Sequence, residues 1–206
     1  MIISFVGMSG AGKSFWAKRL EKERGYRKYS CDELIEKELS SESALLGYKG
    51  VNDVSRWMGQ PYDERYAMNS RRYLDFETKS LENSLAEIEN NKNENNIVMD
   101  TTGSVVYLPP ELLLKLKQLT KVVYLETPEF IVEKMINLYL ADPKPVIWGD
   151  LYKPLSRENK IETLKRCYQN LLKYRLNLYD KLADTRVDYS RKEKDFTVED
   201  LLGIIT

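Results

Sequence analysis

At 206 residues the chain is long enough for one full α/β core, and its 32 Lys+Arg balance 32 Asp+Glu to a formal net charge of zero. There is thus no global basic field of the kind that nucleic-acid binding draws on. No histidine is present and the two cysteines, Cys31 and Cys167, lie far apart, so neither a disulfide framework, a zinc site nor Ser-His or Cys-His nucleophilic machinery is supported, and a general base is expected to be a carboxylate. No apolar run is long enough to span a bilayer. The expectation is a cytoplasmic protein that acts on a small molecule, with neither nucleic acid nor membrane as a partner.

The apolar, β-prone run Ile2 to Val6 leads into Gly7 to Ser14, which fits the phosphate-binding pattern G-x-x-x-x-G-K-[ST], and a good helix-forming stretch, Phe15 to Glu23, follows. Strand, glycine turn and helix thus fall in the order that a P-loop requires. Glycines let the backbone turn tightly and aim successive N–H groups at phosphate oxygens at a helix N-terminus. Gly7, Gly10, Ala11, Gly12, Lys13, Ser14 and Phe15 are therefore candidate nucleotide-binding residues. Lys13 would reach the β and γ phosphates of ATP, and the Ser14 hydroxyl suits Mg²⁺, which prefers hard oxygen ligands.

Tyr26 to Ser30 reads as a second strand, with Asp32 at the position of a helix N-cap, a role worth about 1 kcal/mol. Leu39 to Pro61 reads as an irregular cap with one helical stretch, Val51 to Met58. A long helix is expected over about 63–89, because Leu74, Leu81, Leu85 and Ile88 share one face. After an asparagine-rich linker, Asn90 to Asn96, the short strand Ile97 to Met99 ends in Asp100, which P-loop enzymes commonly use to hold Mg²⁺ or its waters. Thr101 to Ser104 follows as a small-residue loop.

Pro109 or Pro110 starts another helix, Lys121 to Leu125 is a fourth strand, and Pro128 opens a helix with Ile131, Met135 and Leu138 on one face. The Pro- and Gly-containing segment 142–159 cannot be a continuous helix and reads as a lid, in which Lys144 or Arg157 would bring a cation over the phosphates and Trp148 would report closure. The helix from about Ile161 to Leu182 places Arg175 within an apolar stripe of Leu164, Tyr168, Leu171, Leu178 and Leu182. An arginine there must pair with a buried carboxylate or face a polar pocket. Thr185 to Tyr189 reads as a fifth strand and Val198 to Ile205 as a closing helix. The alternation implies a parallel sheet with helices on both faces and ligands at the carboxyl ends of its strands.

These motifs resemble the shikimate kinase family of P-loop small-molecule kinases, over nearly the full length. The family's P-loop matches Gly7 to Ser14, and its Asp-x-Asp-x-x-Ile-Glu segment matches Ser30 to Glu36, with only the second aspartate, Asp32, retained. Its Arg-Pro-Leu-Leu lid motif looks like Lys144 to Ile147, and its late Arg-x-x-x-Tyr-x-x-x-Ala-Asp segment reads Arg175, Tyr179, Ala183, Asp184. The family's glycine triplet is replaced by Thr102-Gly103-Ser104, and its Phe-Arg motif has no secure counterpart, Arg65 being the nearest arginine.

The resemblance implies an α/β fold: a P-loop NTPase-type three-layer sandwich with a five-stranded parallel sheet, a helical substrate cap over about 33–90 and a lid over about 141–159, in a single domain of residues 1–206. It implies an ATP- and Mg²⁺-dependent kinase for a hydroxyl of an anionic metabolite, with shikimate the first candidate. Another sugar-acid, polyol or nucleoside-type acceptor, or a non-catalytic ATP-binding module, are the alternatives. The implied roles are catalytic for Lys13, Asp32 and Lys144, substrate-binding for Asp32, Arg65, Gly103 and Arg175, metal-holding for Ser14 and Asp100, and adenine contact for Arg191.

Overall fold

The computed structural model describes residues 1–42, 50–91, 96–188 and 195–206. Among them a five-stranded sheet is built from β1 (Ile2–Val6), β2 (Arg27–Ser30), β3 (Ile97–Asp100), β4 (Lys121–Leu125) and β5 (Thr185–Val187), in the order β2-β3-β1-β4-β5. Every pairing is parallel, with Phe5 in register with Asp100 and with Val123. Chain order reverses at β1, which lies between β3 and β4. Its carboxyl end therefore opens into the crevice where such sheets bind ligands.

Alternate side chains of the buried strands serve two cores, as expected for a sheet covered on both faces. On one face Ile3, Phe5, Val98, Val123 and Leu125 meet Trp16, Ala17 and Leu20 of α1 (Lys13–Arg24) and Val198, Leu201 and Ile205 of α8 (Val198–Ile205). On the other face Val6, Met99, Val122 and Tyr124 belong to the larger core. That core also takes residues from α2 (Cys31–Glu42), α3 (Val51–Met58), α4 (Tyr66–Asn90), α5 (Pro110–Leu119), α6 (Val132–Ala141) and α7 (Lys160–Leu182). The result is the expected three-layer sandwich. Truncating one of these interior side chains, such as Leu20 to alanine, costs about 2–5 kcal/mol in such settings.

Local boundaries follow the chemistry of their ends. α7 begins with a capping box in which the Asn159 side chain accepts from Ile161 and Glu162 N–H while Glu162 accepts from Asn159 N–H. By contrast α1 starts at Gly12 with no side-chain cap and no acidic residue in its first turn, leaving its N–H groups and positive dipole end free for an anion.

Two expected helix starts are corrected here. Cys31, not Asp32, opens α2, so Asp32 sits inside the first helical turn and is not the N-cap, and the helix runs on through Leu39 to Glu42. Pro128 is followed by a short turn over Glu129–Ile131 before α6 starts. The expected lid is tied down at its centre. Val146, Ile147 and Trp148 are buried, Tyr66 Oη donates to Val146 O at 3.0 Å, and Trp148 N–H donates to Tyr66 Oη at 2.7 Å. Trp148 packs among Tyr139, Tyr152 and Tyr168. Three consecutive apolar side chains gain more from the core than from solvent, and Tyr66 satisfies the backbone that enters with them.

Candidate active site

A cavity of about 360 Å³ opens at the carboxyl ends of β1, β2 and β3. Its floor is the P-loop, whose shape depends on glycine at two points in particular. Gly7 has φ 144°, and a Cβ there would stand 2.8 Å from Leu125 O; Gly12 has φ 97° at the start of α1. Lys13 is buried, with its ammonium donating to Gly7 O at 3.0 Å and Met8 O at 3.1 Å. Burial holds its pKa below the usual lysine value, while Asp100 and Asp32 pull the other way. Phe15 is exposed as a side chain, so its expected part in phosphate binding rests on its main-chain N–H.

Two carboxylates, Asp100 at the end of β3 and Asp32 in the first turn of α2, face this lysine. Asp100 ends β3, and its Oδ1 is buried without a hydrogen-bond partner. Burial raises the Asp100 pKa, opposed by the neighbouring Ser14 hydroxyl and by the charge of Lys13. A buried orphan acceptor beside a serine hydroxyl fits a hard divalent cation such as Mg²⁺. Among the described residues no group of three or more acidic, Cys or His side chains is assembled to hold a metal, which suits an ion that keeps phosphate oxygens and water as most of its ligands. Asp32 opens onto the cavity on one side and is surrounded by protein elsewhere. That surrounding raises its pKa and the charge of Lys13 opposes the shift.

Arg175 enters from α7 and is 3% exposed. Its Nη2 donates to Ile147 O at 2.6 Å, its Nε donates to Tyr107 Oη at 3.2 Å, and the guanidinium lies 5.1 Å above the Tyr107 ring. No carboxylate among the described residues pairs with it, and a Cβ at Gly103 would stand 3.5 Å from Nη1. Of the two readings left open by the sequence, the polar pocket is the one observed: a buried cation without a carboxylate partner among the described residues, lining the cavity. A guanidinium there is suited to a carboxylate or phosphate.

Sequence reasoning missed Glu77 and Tyr73, both buried on α4. Thr102 Oγ1 donates to one Glu77 carboxylate oxygen and Ser104 Oγ donates to the other at 2.6 Å. Burial pushes the Glu77 pKa up to about 7. The signal was present: Glu77 lies on the same apolar stripe as Leu81 and Leu85, the kind of placement that singled out Arg175.

The other candidate residues divide as follows. Gly103 lines the cavity, and Lys144 lines it at the entrance, held by Asn52 at 2.6 Å and Asp142 at 2.5 Å. Arg157 is exposed and is not among the cavity's lining residues. Arg65 is placed apart from it, in a neighbouring groove with Arg56, Gly59 and Asp63, so it does not join Arg175. Arg191 lies outside the described residues. A second, more apolar chamber of about 350 Å³ lies against the P-loop tip, between Gly10 and Ala11 on one side and Ile131, Met135 and Leu138 on the other.

The strand order, the positive-φ glycines and the open N-terminus of α1 define an α/β protein with the P-loop NTPase fold. Within that class, the chain resembles shikimate kinases. It is 27% identical over 204 residues to the shikimate kinase of Persephonella marina, covering 98% of each chain. Among solved structures, the shikimate kinase of Acinetobacter baumannii in complex with shikimate superposes with a TM-score of 0.54 at 21% identity, covering 98% of this chain and 88% of that one. The Aquifex aeolicus enzyme gives 0.56 at 18% identity, covering 98% and 94%, and the Bacteroides thetaiotaomicron enzyme 0.57 at 15%, covering 96% and 92%. No protein-family model matches the chain.

Proposed function

We propose that the protein is an ATP-dependent small-molecule kinase that transfers the γ-phosphate to a hydroxyl group of an anionic metabolite, with shikimate the first candidate. The observation that carries this reading is the convergence, in one cavity, of the P-loop Lys13, the carboxylates Asp32 and Asp100, and Arg175, which has no carboxylate partner among the described residues. The full-length similarity to a shikimate kinase supports it.

In this reading the P-loop amides and Lys13 hold the phosphates of ATP, the base extends toward the apolar chamber beside Gly10, and the acceptor anion rests on Arg175. Asp32 orients the acceptor hydroxyl and takes its proton, and its raised pKa makes it a better base than a solvated aspartate. Lys144 supplies a cation where the two chambers meet. Mg²⁺, when bound, neutralises charge on the phosphates; Ser14 and Asp100 would hold it or its waters. A panel of sugar acids, polyols and nucleosides, begun with shikimate and scored by acceptor-stimulated ADP release, tests the assignment.

The metal role of Asp100 has its own test. Asp100→Asn keeps the size of the side chain and removes the charge, so the Mg²⁺ concentration for half-maximal rate should rise about 10- to 100-fold. Unchanged turnover with unchanged Mg²⁺ dependence would remove Asp100 from the metal site.

A further inference from the structure

The loop that follows β3 is held by three elements of the fold. Thr101 Oγ1 donates to Phe5 O of β1 at 2.7 Å. Thr102 Oγ1 donates to one carboxylate oxygen of Glu77 on α4, and Ser104 Oγ donates to the other at 2.6 Å. Gly103 O accepts from Tyr179 Oη on α7. Ser104 N–H donates to Thr102 Oγ1 at 3.1 Å, and the two hydroxyl oxygens lie 3.1 Å apart. Glu77, Thr102 and Ser104 thus close a ring of three contacts, and all three residues are buried.

The ring stands behind one wall of the candidate active site. Thr102, Gly103 and Ser104 line the cavity, whereas Glu77 is not among its lining residues. A Cβ at Gly103 would stand 3.4 Å from Ser9 N in the P-loop and 3.5 Å from Arg175 Nη1. The loop is therefore packed between the phosphate-binding backbone and the buried guanidinium, and any displacement of it changes the space beside both. An uncharged side chain would be buried at position 77 at lower cost. What the carboxylate adds is two acceptors at a fixed separation, which hold two hydroxyls of one loop at once.

We propose that Glu77 is a positioning residue for the acceptor: through Thr102 and Ser104 it fixes Gly103 against Arg175, and so sets where the acceptor lies relative to the phosphates. This rests on the kinase reading given above, in which Arg175 takes the acceptor anion. Glu77 acts through the loop, whereas Asp32 acts on the acceptor itself.

The ring also carries the protonation state of Glu77 into the loop. An ionised Glu77 only accepts, so both hydroxyls donate to it. A protonated Glu77 donates from one oxygen, so the hydroxyl bonded there must accept and turn its own hydrogen to the other hydroxyl, 3.1 Å away. Burial, opposed by the two hydroxyls, places this change at about pH 7. The titratable and charged groups facing Glu77 are Cys31 and Asp32 from α2, Tyr73 from α4 itself, and Arg175 and Tyr179 from α7. Asp32 favours the protonated form and Arg175 the ionised one.

Two measurements test the assignment. In the ligand-free protein, ¹⁵N–¹H NMR should show the Gly103 amide titrating with a midpoint of about 7, and Glu77→Gln should abolish that titration. A Gly103 amide that does not titrate there, or that titrates alike in Glu77→Gln, overturns the hold of Glu77 on the loop whether or not any acceptor is phosphorylated. In steady-state kinetics above the Glu77 midpoint, Glu77→Gln should raise the KM for the acceptor about tenfold, the worth of one charge-assisted hydrogen bond. The KM for ATP should stay within about twofold. Ser104→Ala keeps the carboxylate and removes one of its donors, so it should raise the same KM and move the Gly103 midpoint up by about half to one pH unit. If Glu77→Gln fails to fold, Ser104→Ala carries both measurements. Equal rises in the two KM values, or none in that for the acceptor, make Glu77 a support of the fold and overturn the positioning role. The expected Gly103 titration without phosphorylation of any acceptor overturns the kinase reading and leaves the hold of Glu77 on the loop standing.

Discussion

Replacing Asp32 by asparagine is expected to lower kcat for acceptor phosphorylation by about 10²- to 10⁴-fold, the usual contribution of a positioned general base, while KM for ATP changes little. The substitution keeps the shape of the side chain, so the cavity wall should survive. What is lost is the ability to take a proton and the negative charge facing Lys13. Asp32 lies in the first turn of α2, where a carboxylate also favours the helix by typically 0.3–1 kcal/mol. Steady-state kinetics and a thermal melt on the same preparation separate the two roles. A lowered melting temperature with unchanged kcat would leave Asp32 as a helix-start residue only.

Arg175→Lys is expected to raise the KM for the acceptor by roughly 10- to 100-fold, because a charge-assisted hydrogen bond is worth about 1.5–3 kcal/mol and each 1.4 kcal/mol is tenfold in affinity. Lysine keeps the charge. It lacks the planar fork that here serves Ile147 O and Tyr107 Oη while leaving an edge for the ligand. The KM for ATP should stay within about twofold, since Arg175 touches none of the P-loop groups through the hydrogen bonds it makes. Equal changes in both KM values would show that Arg175 supports the whole cavity and does not bind the acceptor.

Much of this was legible in the chain because the deciding signals are local. The P-loop is eight consecutive residues between a β-prone run and a helix former, and glycine's access to positive φ at Gly7 and Gly12 is a property of those residues alone. Period-3.6 stripes gave α4 and α7 to within a few residues, and apolar runs gave β1, β3 and β4. The misreadings concern tertiary placement. Segment 142–159 has the composition of a surface loop, yet its middle is pulled inward by Val146, Ile147 and Trp148 and by the Tyr66 hydroxyl, 80 residues away in sequence from Val146. Arg65 was expected to bind the substrate as the arginine nearest the family's missing Phe-Arg motif, but it stands at the start of α4 in a separate groove with Gly59 and Asp63. Glu77 was overlooked because its partners, Thr102 and Ser104, come from the loop after β3, and only the folded chain brings them to α4.

The same contrast applies to function. The expectation of phosphate at Gly7 to Ser14 comes from the backbone, whereas in the proposed reading the acceptor would be chosen by residues from four separate places: Asp32 on α2, Tyr73 on α4, Gly103 after β3 and Arg175 on α7. In that reading the single charge of Arg175 would suit an acceptor with one anionic group. The most direct measurement is ³¹P NMR of a reaction containing the protein, ATP, Mg²⁺ and shikimate, followed by the other anionic polyols. The predicted result is a new phosphate monoester resonance that grows in step with ADP. ADP accompanied only by inorganic phosphate, or ATP left intact with every acceptor, would contradict the assignment.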